Sequence, residues 1–155
     1  MRQLALIVAL GVLCLPAAAD SSGLAPEGWS TQEVRSHWIF TSPDTWSVAH
    51  AHRNTAGDLE RLAELAARHN QPPDTYLIHD QGTMDALGGL VTLRLYGSWS
   101  ADFRYIASSV VVPHQEGGYM ICRVYAPMLE EEAPSVVSDF LGACHDHANP
   151  AGRAD

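Results

Sequence analysis

The chain contains no lysine: its nine cations are all arginines, set against 18 aspartates and glutamates. That absence removes several kinds of chemistry. A phosphate-cradling loop needs its lysine, and Schiff-base catalysis needs an ammonium that can lose a proton. A nucleic-acid partner needs clustered cations, as does an anionic membrane surface, and a chain of net charge −9 offers neither. Motifs are equally sparse. G-x-S-x-G, G-x-G-x-x-G, H-E-x-x-H and C-x-x-C are all missing, so no nucleophile elbow, dinucleotide loop, zincin helix or redox pair is legible. Long apolar runs are scarce too. Leu4 to Leu15 is about a dozen residues, short of the roughly 20 that a membrane helix requires.

What that run does resemble is an export signal. Arg2 precedes it, Pro16 breaks it, and Ala17-Ala18-Ala19 sets small residues where a signal peptidase needs them. Residues 1–19 therefore read as a secretory signal peptide with cleavage after Ala19. Cys14 follows Val12-Leu13, which are too bulky for a lipidation site. Without Arg2 the net charge moves from −9 to −10, so the expected secreted chain is acidic. The Ala- and Arg-rich, Lys-free composition suggests a GC-rich bacterial gene, which makes the expected compartment the periplasm. The remaining length suits one domain with its own core.

Three cysteines become two once the signal is set aside, and an oxidising compartment pairs them. Cys122 shares a strand face with Met120 and Val124. Cys144 shares a helical stripe with Val137, Phe140 and Leu141. Each thiol lies on the face expected to be buried. A Cys122–Cys144 disulfide would tie the last helix to the sheet and contribute roughly 3 kcal/mol through chain entropy.

The patterning predicts a flexible leader over 20–29, a single α+β domain over 30–148 and a disordered tail over 149–155. Ser30 with Glu33 has the form of a capping box for a short helix. Trp46 to Arg53 alternates as a strand. Thr55 and Asp58 open a helix striped by Leu59, Leu62, Ala63 and Ala66, which ends at Asn70 and Pro72-Pro73. "DTYLIHD" reads as a strand pairing with 46–53 through a right-handed crossover. "QGTMDALGG" reads as a connection, "LVTLRLYG", "FRYIASSVVV" and "YMICRVYAP" as a meander. Glu130 to Glu132 and Pro134 read as the start of the final helix. The expected fold is thus α+β: a mostly antiparallel sheet of about five strands with two helices packed on one face, in the order βαββββα or βαβ-ββ-βα.

Two constellations stand out. His50 and His52 lie two apart on the strand face of Trp46 and Val48, so their rings converge on one side as strand-borne metal ligands do. His79, on the neighbouring strand of the expected crossover, would complete a Zn or Cu site. The bland alternative is that these histidines are structural or solvated. Separately, Arg94, Arg104 and Arg123 come from three successive strands, with Tyr96 beside Arg94 and Tyr125 beside Arg123. Aligned on the sheet face away from the helices, these five would form an Arg/Tyr surface of the kind used to contact a partner. The sequence therefore points to a small secreted, disulfide-stapled binding module without catalytic activity. Its partner would be a protein or a small envelope ligand, with neither nucleic acid nor a membrane span involved. The alternatives are a periplasmic metal-binding protein and a small hydrolase with a His base.

Overall fold

The structure is a computed structural model that describes residues 21, 23–129 and 133–150. The expected signal peptide, Glu130 to Glu132 and residues 151–155 lie outside those residues. The strands are β1 (Ser30–Val34), β2 (His37–Thr41), β3 (Val48–Asn54), β4 (Thr75–Ala86), β5 (Gly89–Ser98), β6 (Arg104–Pro113) and β7 (Tyr119–Met128). The helices are α1 (Leu59–Arg68), between β3 and β4, and α2 (Ser135–Ala148), after β7.

All seven strands form one sheet, ordered β1-β2-β3-β7-β6-β5-β4, and every neighbouring pair is antiparallel. This corrects the expected five strands. The capping-box reading of Ser30 and Glu33 fails because this stretch forms β1, folded back on β2 with Val34 opposite His37. Arg35 makes that turn at a φ of 59°, a left-handed conformation that suits a tight hairpin. The "QGTMDALGG" connection is also absent. β4 runs on to Ala86 through register shifts at Leu77/His79 and Asp80/Gly82, which hid its alternation. It turns at Leu87 and Gly88, whose φ values of 52° and 67° match a type I′ hairpin.

The crossover is corrected as well. β3 and β4 are not neighbours: β7, β6 and β5 lie between them, and α1 carries the chain across that span.

The helices cover opposite faces of the sheet, where one face was expected. On one face, Val137, Phe140, Leu141 and Cys144 of α2 pack with Phe40, Val110, Val112, Met120, Cys122 and Val124. Phe40 and Phe140 meet edge to face with centroids 5.8 Å apart. On the other face, Leu62, Ala63 and Ala66 of α1 pack with Val111 and Ile121. The reason is visible in β6, where Tyr105 to Val112 are all buried, so both of its faces need cover. The Cys122–Cys144 disulfide is present and joins β7 to α2. Within the stretch expected as a leader, Leu24 is 1% exposed and belongs to the α2-side core, with Trp29 packed against it.

Candidate functional site

Helix α1 starts where Asp58 accepts a hydrogen bond from the Arg61 amide at 2.8 Å. Its apolar stripe sits over β5, β6 and β7. Just past its end Asn70 turns inward. Its side-chain amide donates to the carbonyls of Ser108 at 2.8 Å and Val124 at 3.1 Å, pinning the exit of the helix to β6 and β7. The flank of α1 and the neighbouring strand β3 leave a cleft of about 370 Å³. Leu62, Leu65, Ala66 and His69 line it from the helix side, and His52, Asn54, Ile121 and Arg123 from the sheet.

Arg123 dominates the electrostatics of this cleft. It is half-buried, and its Nη1 donates to the His69 carbonyl at 2.7 Å, at the negative end of the α1 dipole. That carbonyl is its one hydrogen-bond acceptor among the described residues, and no carboxylate pairs with it there. Arg53, Arg68 and Arg94 do pair, with Glu116, Glu64 and Asp80. Burial without a counter-ion lowers the Arg123 pKa. Arg123 Nε and His52 Nδ1 are buried with no hydrogen-bond partner among the described residues. The His52 ring stacks on His37 at 4.4 Å, and His50 is the cross-strand neighbour of Arg123. Burial first, then the charges of Arg123 and His37, pull His50 down to about 4. Burial followed by His37, Arg123 and His50 does the same to His52. Both imidazoles are therefore neutral at pH 7.

The predicted site residues divide. His50 and His52 share the α1 side of β3, but His79 lies on β4, four strands away, or roughly 19 Å at ordinary strand spacing. The proposed metal triad is not assembled. Among the described residues no group of three or more His, Cys, Asp or Glu is placed to hold a metal ion.

The Arg/Tyr surface is broken up in the same way. No sheet face is free of helix. Arg94, Tyr96, Arg123 and Tyr125 alternate with residues of the α2-side core and so face the α1 side, whereas Arg104 alternates the other way. Arg94 is tied to Asp80 at 2.9 Å. Tyr96 is 2% exposed and forms a satellite core with Tyr105 and Ala107. Arg104 lines a separate groove on the α2 side with Tyr76, Ile78 and Met128.

His37, His69 and Leu65 were not picked out from the sequence as members of a site. His37 was lost because its segment was read as helix and not as a strand opposite His52.

No family model matches the chain, and no curated protein matches it. Solved structures similar to it include two of the protein Mog1. One is a mutant of the protein Mog1, 11% identical over 79% of this chain and 80% of that one, with a TM-score of 0.39. The other is the Saccharomyces cerevisiae Ran-binding protein Mog1p, 10% identical over 79% of each chain, with a TM-score of 0.38. Likeness at this level assigns this chain neither a family nor a partner.

Proposed function

We propose that this protein is a small binding module, exported to the periplasm and stapled by Cys122–Cys144, whose ligand occupies the cleft between α1 and β3. The carrying observation is Arg123: a half-buried cation without a carboxylate partner among the described residues, set beside an apolar wall. Arg53, Arg68 and Arg94 have their counter-ions, whereas Arg123 is half-buried in a cleft with its charge left to an incoming group. Small-molecule sites combine an apolar lining with a few convergent polar groups, and the cleft has both. The export reading draws support from the N-terminal sequence and from the disulfide, a bond that persists in oxidising compartments.

A fragment screen followed by amide chemical shifts tests the site. Shifts should gather at Asn54, Leu65, His69 and Arg123. Hits that collect at Tyr76 and Arg104, or a library that shifts nothing, would overturn the assignment.

A further inference from the structure

We infer that the α1–β3 cleft takes a small aliphatic carboxylate, its head on the Arg123 guanidinium and its chain along Leu62, Leu65, Ala66 and Ile121. This rests on the binding-module reading and names the ligand class for that site.

Three observations fix the class. The first is charge. The cleft holds one guanidinium with no carboxylate partner among the described residues, and the imidazoles of His50 and His52 beside it are neutral, so the site matches a single negative charge. A dianionic phosphate would bring a second charge into a chain of net −9 with nothing to meet it.

The second observation is the geometry of the head site. One guanidinium nitrogen, Nη1, already serves the His69 carbonyl and holds the group in place. Nε is buried, so a carboxylate would meet the group at Nη2, where charge-assisted hydrogen bonds are strong. His52, whose buried Nδ1 has no partner among the described residues, borders the same cleft.

The third observation is the wall. Leu65 is 38% exposed on the flank of α1, a large aliphatic group left in water beside Leu62 and Ala66. A hydrocarbon chain lying against it would remove that surface from water. The volume of about 370 Å³ is near the lower end of small-molecule sites, which suits a short chain better than a peptide.

The experiment titrates the full exported chain with hexanoate, acetate, 1-hexanol and hexyl phosphate, read by amide shifts and calorimetry. Hexanoate should saturate the cleft. Acetate lacks the chain and 1-hexanol lacks the charge, so each should bind roughly tenfold or more weakly, as loss of one charged hydrogen bond or a few methylenes implies. Arg123→Met should reduce hexanoate affinity by a similar factor while leaving 1-hexanol unchanged. Leu65→Ser, on an exposed helix flank, leaves the fold intact and should weaken hexanoate without affecting acetate; it carries the test if Arg123→Met does not fold.

The inference is overturned if 1-hexanol matches hexanoate, if hexyl phosphate binds more tightly than hexanoate, or if neither substitution changes hexanoate affinity. Should fragments of other chemistry fill the cleft while hexanoate does not, the carboxylate assignment falls and the binding module stands. Should nothing fill it, both fall.

Discussion

The two faces of the sheet are finished to different standards. The α2 side is closed beneath its helix, and its groove at Tyr76, Ile78, Arg104 and Met128 lies outside that core. Phe40, Val110, Val112, Cys122, Val124, Phe140 and Cys144 are each no more than 1% exposed, and a covalent bond joins helix to strand. The α1 side is left open along one flank. There Leu65 faces water and, among the described residues, Arg123 has no carboxylate partner and buried nitrogens of His52 and Arg123 have no hydrogen-bond partner, as is also true of Trp38 Nε1 on the α2 side. A molecule with marginal stability keeps unsatisfied groups only where the rest of the fold can sustain them. The core under α2 supplies that support.

Four experiments would break or sharpen the contrast. The largest effect belongs to Phe40→Ala, which empties the centre of the closed face and should cost about 3–5 kcal/mol. Leu65→Ala on the open flank should cost only a small fraction of that. Equal losses in urea unfolding would mean that the faces do not differ.

Next comes the staple. Replacing Cys122 and Cys144 by Ala should lower stability by roughly 3 kcal/mol. The amide resonances lining the α1–β3 cleft should stay where they are. A wild-type unfolding midpoint in the double variant would refute the structural weight given to this bond.

The third effect depends on pH and belongs to the open face. His50 and His52 have folded-state pKa values of about 4, below the ordinary 6.5, because burial disfavours their charged forms. The unfolded chain therefore binds more protons below pH 6.5. Stability held above that pH should be lost progressively as pH falls from 6.5 to about 4. Replacing both by Gln should flatten that slope; if wild type and variant lose stability in parallel across the window, these histidines are not its source.

The smallest effect is at the start of α1. Asp58→Ala removes the N-cap and should cost about 1 kcal/mol. Since the packing of α1 sets the open flank, hydrogen exchange should speed up in its first turn and leave α2 untouched.

What the sequence disclosed follows the strength of each local pattern. The α1 stripe, the Val137–Phe140–Leu141–Cys144 stripe and the Met120–Cys122–Val124 face were legible because amphipathic periodicity is local. So was the disulfide, which needed only two buried faces to meet. The side of the sheet on which each helix lands is not a local property. Still, Ile121, Arg123 and Tyr125 on one face of β7, with Cys122 and Val124 on the other, hinted that both faces carry weight.

The β1–β2 hairpin was hidden because Ser30-x-x-Glu33 fits a helix start and an edge strand equally well. Bulges hid β4 by interrupting its alternation. The cleft was half visible: His50, His52 and Arg123 were singled out, but joined to His79 and Arg104, which the strand order places elsewhere. Strand order depends on long-range pairing, and no short window contains it.

The sheet ends in two edges of different quality. β1 is five residues long, regular and exposed throughout. β4 is longer, yet two bulges and the turn at Gly82, with φ of 79°, leave its outer hydrogen-bonding row out of step. Copies of this chain could stack into a growing ribbon only if both edges accepted a straight strand. The apolar Tyr76-Leu77-Ile78 run, which would otherwise invite such growth, sits on the edge that is bent out of line. The irregularity that disguised β4 in the sequence thus guards the folded protein against its own polymerisation.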